Sequence, residues 1–117
     1  GEIMAFKKER LEKILEREIS QIIFSEVKDD RLKFVTITKV ALTNDLSIAT
    51  VYYSVLGDEE QKQVTSTNLQ EAKGFIKSVL AKRLEIRKIP DLRFKFDDSF
   101  DEGNKIEAIL KSLKNKE

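Results

Sequence analysis

Three short stretches of this chain alternate apolar and polar side chains with a period of two, and their spacing constrains the fold more than any other feature of the sequence. In Phe34 to Leu42, Val35 and Ile37 point to one side and Thr36 and Thr38 to the other. In Leu46 to Leu56, Ala49, Val51, Tyr53 and Val55 oppose Thr50, Tyr52 and Ser54. After Pro90, Leu92, Phe94 and Phe96 oppose Arg93, Lys95 and Asp97. Only the turn-formers Thr43, Asn44 and Asp45 part the first two stretches, which predicts an antiparallel hairpin. The third lies beyond a long segment of helical character, from Asp58 to Ile89. A right-handed crossover places it parallel to the second strand and beside it, so the expected sheet order is 1-2-3. The alternation slips at Lys39 and Val40, and a bulge there is expected in preference to a buried lysine.

Between and around the strands the period changes to that of helices. From Ala5 to about Val27, Leu11, Ile14, Leu15, Ile19, Ile22 and Ile23 share one face, with Lys7, Lys8, Glu9, Glu12, Lys13, Glu16 and Arg17 on the other. Gly57 ends the second strand, Asp58 caps the next helix, and Gln61 stands at the reciprocal position of a capping box. That helix is expected to run to Gln70 and to bury Val64 and Leu69. A break is predicted at Ala72, Lys73 and Gly74. A further helix follows, with Phe75, Ile76, Val79, Leu80 and Leu84 as its buried stripe, and stops by Ile89 because Pro90 disfavours helical geometry before it. Ser99 and Glu102 form a second capping box ahead of Ile106, Ile109, Leu110 and Leu113, which predicts a C-terminal helix. With helices on one face, Thr36, Thr38, Thr50, Tyr52, Ser54, Arg93 and Lys95 are expected on an open, hydroxyl-rich face.

The net charge of +1 hides a segregation of signs. Lys73, Lys77, Lys82, Arg83, Arg87, Lys88, Arg93 and Lys95 form a basic strip opposed only by Glu71, Glu85 and Asp91, and an acidic patch follows from Asp97 to Glu107. A charge run is commonly just a solvated helix face. Here it coincides with the predicted break, where the free amides and dipole of a helix start favour a phosphate, which points to a nucleic-acid contact. Cysteine and histidine are absent, which removes the usual soft-metal ligands, thiol nucleophiles and the commonest general base. No apolar run is long enough to span a membrane, and the charged N-terminal segment is unlike a signal peptide. The expectation is a single cytoplasmic domain over residues 4–117, monomeric, without cofactor or metal, with Gly1, Glu2 and Ile3 ahead of Met4 as an expression remnant.

The order of elements resembles that of a type II KH domain. The chain is similar to the ribosome-binding factor A family over nearly its whole length, through Arg31 to Val40 (RLKFVTITKV), Asn44 to Tyr52 (NDLSIATVY), Ala72 to Leu84 (AKGFIKSVLAKRL), Arg87 to Phe94 (RKIPDLRF) and Asp98 to Gly103 (DSFDEG). The expected fold is therefore α+β: one KH-like domain, α-β-β-α-kink-α-β plus a C-terminal helix, with a three-stranded mixed sheet and its helices on one face. Ala72, Lys73 and Gly74 match the Ala-x-Gly kink that this family has in place of the GxxG loop, which clamps about four nucleotides in ordinary KH domains. The resemblance implies an assembly factor, not a nuclease, that binds the free small (30S) ribosomal subunit and assists late maturation of 16S rRNA, including the 5′ end of the precursor. It also implies a link to growth in the cold. Lys73, Lys77, Lys82, Arg83, Arg87 and Lys88 are then candidate phosphate contacts, Gly74 gives the kink and close backbone approach, Ala72 packs at the corner, and Arg93 and Lys95 rank second.

Two other readings are carried forward. A protein-protein adaptor would use the first helix or the acidic patch. An enzyme would use Asp97, Asp98 and Asp101 to hold Mg²⁺, but no positioned base or nucleophile accompanies those acids, which are better read as a cap and a solvated turn.

Overall fold

A computed structural model of the chain describes residues 2–27, 32, 35–84, 86 and 88–97. Helix α1 (Glu2–Ser25) leads into the hairpin of β1 (Val35–Leu42) and β2 (Ile48–Val55). Helix α2 (Glu59–Leu84) then crosses over to β3 (Asp91–Phe96). The sheet order is β1-β2-β3, with β1 antiparallel and β3 parallel to β2, as the strand spacing predicts. The expected C-terminal helix, with its capping box at Ser99 and Glu102, lies outside the described residues.

The bulge is present. Ile37 pairs with Tyr53 and Lys39 with Tyr52, so Thr38 is the extra residue, and the step returns Val40 and Leu42 to the buried side while Lys39 stays exposed. In the hairpin turn Asp45 Oδ1 accepts bonds from Thr43 Oγ1 at 2.7 Å and from Ser47 N at 3.1 Å and Oγ at 2.7 Å. Leu46 takes φ 63°, a conformation few side chains adopt; it is held by its N–H to Thr43 O at 2.9 Å and by packing of its side chain on the core.

Both helices lie on the same face of the sheet. Leu15, Ile19 and Ile22 of α1, Leu69, Ile76 and Leu80 of α2, and Ala49, Val51 and Leu92 of the strands are all fully buried. Tyr53 and Phe96 close one end of this core edge to face, 5.9 Å between ring centroids. Helix α1 runs along the edge strand β1. Glu12, expected on the solvent face, is half-buried there, and its Oε2 accepts the Leu42 N–H at 2.8 Å, capping a backbone donor that the sheet leaves unpaired.

The main departure from expectation is at Gly74. The two helices and kink expected across Ala72, Lys73 and Gly74 are one helix, α2, uninterrupted from Glu59 to Leu84. Its buried positions keep phase straight through the glycine: Thr65, Leu69, half-buried Ala72, Ile76 and Leu80 recur every three or four residues. A break would throw one half of that stripe out of register with the sheet. Nor does any backbone come close to Gly74, since a Cβ built there meets nothing within 4 Å. Val64, expected to be buried, is exposed, and Thr65 one position on takes the inward place. The helix start is as expected: Asp58 Oδ1 accepts the Gln61 N–H at 2.9 Å. Gly57, at φ +152°, lies under the Gln61 side chain, whose Oε1 would sit 1.9 Å from an added Cβ.

Candidate nucleic-acid interface

Helix α2 divides the basic strip instead of presenting it as a unit. A helix turns about 100° per residue, so Lys73 and Lys77 stand one above the other on one flank, and Lys82 falls on the opposite flank beside exposed Phe75. The flank of Lys73 can be located. Lys62 precedes it by eleven residues, three turns plus about 20°, and Lys62 Nζ lies 4.7 Å from the ring centroid of Phe96 on β3. Lys73 and Lys77 therefore rise along the β3 side of the helix layer. Both are half-buried, their stems lying on the protein with the ammonium groups toward water.

Around that same edge stand Lys88, exposed in the connection before β3, and Arg93 and Lys95, exposed on β3. The alternation of the strand, with Leu92 buried and Phe94 and Phe96 half-buried on the core side, sends these two bases to the open face of the sheet. Arg93 Nε is 3.6 Å from Asp91 Oδ2, a solvent-exposed and weak pairing. Among the described residues Lys73, Lys77, Lys88 and Lys95 make no ion pair, so their charge is available to a ligand. Together these bases line a rim that passes from the flank of α2 around the β3 edge.

Arg83 does not belong to it. Its guanidinium bridges to α1 and the residue just past its end, with Nη1 3.0 Å from Glu18 Oε2 and Nη2 2.9 Å from Glu26 Oε1, and a longer bond from Nη1 to Gln21 Oε1 at 3.4 Å. These carboxylates, Glu18 first, raise its pKa above the ordinary arginine value and hold the side chain against α1. The expected phosphate contact is thus a strut between the two helices. Gly74 likewise loses the role expected of it, whereas Ala72 packs as expected but on an unbroken helix. Gly74 is an exposed position inside a helix, so no free helix start offers amides to a phosphate, and Ala72 is half-buried against the core. Arg87 lies outside the described residues, as do all the acids of the expected Asp97 to Glu107 patch except Asp97. The Asp97 carboxylate accepts a bond from Thr38 Oγ1 at 2.5 Å across the open face.

Nothing among the described residues gathers the acids a metal site would need, and no described helix is long and apolar enough to cross a membrane. Sequence reasoning overlooked the intact phase of the buried stripe from Thr65 to Leu80 and the acids of α1 that Arg83 faces. The first was readable from spacing alone; the second needed the helices to be packed.

Three-stranded mixed sheet, helices on one side and a basic rim along the parallel edge: this α+β arrangement is consistent with a type II KH-like fold. The profile of the ribosome-binding factor A family matches residues 7–110. A ribosome-binding factor A from Staphylococcus saprophyticus is 51% identical over 114 residues, covering 97% of this chain and 100% of the relative. The crystal structure of ribosome-binding factor A from Thermus thermophilus superposes with a TM-score of 0.68 at 30% identity, covering 76% of this chain and 93% of that one. A homology model of the Thermus thermophilus factor, fitted into a cryo-electron-microscopy map of its complex with the 30S subunit, gives a TM-score of 0.64 at 29% identity, with coverage of 76% and 93%. The chain belongs to the ribosome-binding factor A family.

Proposed function

We propose that this chain is a ribosome assembly factor that binds the free small ribosomal subunit through the sugar-phosphate backbone of 16S rRNA. In this reading it assists the late maturation of that RNA, including the 5′ end of the precursor, and performs no chemistry of its own. It acts as a cytoplasmic monomer without cofactor. The observation that carries the reading is the basic rim of the β3 edge, where Lys73, Lys77, Lys88 and Lys95 are free of described ion partners and Arg93 is only weakly held. The family membership and the fitting of a structural neighbour into a 30S complex support the small subunit as the partner of that rim. Bases on a rigid helix and strand can grip a folded RNA by shape and charge, and such contacts orient a protein on RNA without reading sequence. Binding of this kind favours RNA conformations that present phosphates to the rim, which is how a protein with no active site assists maturation.

Sedimentation of a lysate through a sucrose gradient tests the reading. The protein is expected with free small subunits and absent from full ribosomes. Reversing Lys73 and Lys77 together to glutamate should release it to the top of the gradient without changing its circular dichroism. A variant that still sediments with the subunits would remove the α2 flank from the interface.

A further inference from the structure

Arg93 and Lys95 stand on a face of the sheet that extends well beyond them. The register puts Tyr52 of the central strand between two lysines, Lys39 across the antiparallel pairing and Lys95 across the parallel one. In the next row Thr50 lies between Ala41 and Arg93. Thr36 and Ser54 pair at the other end. None of these side chains is buried, since both helices occupy the opposite face. The bulge at Thr38 is what delivers Lys39 to this side. The face thus combines an aromatic ring at its centre, three cations around it and a field of hydroxyls. It also carries two described carboxylates, Asp97, which accepts the Thr38 hydroxyl, and Asp91, 3.6 Å from Arg93, so its cations outnumber its acids.

That composition is complementary to one ligand chemistry. We propose that the open face is a second RNA-contact surface, on which Tyr52 stacks a base of an unpaired segment while Lys39, Arg93 and Lys95 hold its phosphates. The identity of the ligand as RNA rests on the function proposed above. That the segment is unpaired follows from the face itself: in a duplex the flat sides of the bases are covered by their neighbours, and only a splayed base can lie on a ring in an open sheet. Lys39 Nζ is 5.9 Å from the Tyr52 ring centroid, at the outer limit of a cation–π contact, so a base can take its place at little cost. Stacking tolerates any base, and the surface would therefore hold single-stranded RNA without sequence preference.

Fluorescence anisotropy with a labelled twelve-nucleotide oligouridylate, and with an RNA duplex of equal phosphate number, reads this directly. Tyr52→Ala should weaken oligouridylate binding by about 5- to 150-fold and Tyr52→Phe should preserve it, because the loss of one stacked base, not of a hydroxyl, is being measured. Lys39→Gln, which leaves the rim intact, should weaken it as well, with duplex binding the less affected. Unchanged binding by Tyr52→Ala, or equal losses for duplex and single strand, would overturn the proposal. The chain has no cysteine, so a photoreactive group on Thr50→Cys can be placed uniquely within the small-subunit complex. Cross-links to 16S rRNA are expected, and cross-links confined to ribosomal protein would refute the surface as an RNA contact. Normal sedimentation of the Tyr52→Ala protein with subunits, beside loss by the Lys73 and Lys77 variant, would discard this surface alone. Failure of the unaltered protein to sediment with subunits would discard the proposed function.

Discussion

Gly74 sits at an exposed position inside a continuous helix, with open space where a Cβ would be. Glycine there costs backbone entropy and gives no close approach in return. Gly74→Ala should therefore stabilise the protein by about 0.5–1 kcal/mol in urea unfolding. A loss of that size would instead show that a bend at this residue belongs to the native state. Arg83 carries the opposite lesson, a cation whose sequence neighbours suggest a ligand and whose spatial neighbours are acids. Arg83→Gln should lower the thermal midpoint while leaving affinity for the small subunit unchanged at a temperature where both proteins are folded; a selective loss of affinity would restore it to the interface. Asp45 gives a pH signature. Hydrogen bonds from the Thr43 hydroxyl and then from Ser47 lower its pKa to about 2. A depressed carboxyl stabilises the fold above its ordinary range and stops doing so as pH falls from about 4 through about 2. The Ser47 amide resonance should titrate with a midpoint near 2 and become flat in Asp45→Asn; a midpoint in the ordinary carboxylate range would show the turn to be open.

At the scale of elements, strand β1 is read in two frames, one on each side of Thr38. Removing Thr38 restores strict alternation and leaves Ile37, Val40 and Leu42 inward, so this deletion should be tolerated. Removing Ala41 turns Leu42 outward and should cost about 2–3 kcal/mol more, the worth of one buried leucine, in denaturant melts of the two deletions. Similar losses for both would mean that the bulge has a packing role beyond restoring the frame. The strands, their order and this bulge were all legible in the sequence, because a period of two with β-branched residues between turn formers admits few other readings. Helix α2 was misread because Gly74 and the weak helix formers from Thr65 to Asn68 suggest an interruption locally. Packing of the stripe from Thr65 to Leu80 against the sheet outweighs that weakness. Asn68 shows the tension that remains: it is buried and its Nδ2 has no described hydrogen-bond partner.

For the molecule as a whole, the candidate site was only partly legible because charge along a sequence does not say which side of a helix or sheet it occupies. Lys73 and Lys77 fall on the rim, Lys82 behind it and Arg83 against α1, though they follow one another within a few turns. The rim that remains, Lys73, Lys77, Lys88, Arg93 and Lys95, would neutralise about five phosphates, so log K for the small subunit should fall against log salt with a slope of roughly −3.5 to −4.5. A slope near zero would exclude a phosphate-led interface, and a much steeper one would bring in bases beyond the rim.

The parallel pairing of β3 also sets a timetable. The hairpin closes over a short turn, but β2 keeps one side unpaired until the whole of α2 has been made and the chain has returned through Pro90. A chain whose third strand has not yet docked carries a bare strand edge along β2, at Val51 and Tyr53. The hazard of sticking to another such chain therefore lasts until the crossover is complete, and any change that delays the docking of β3 prolongs it.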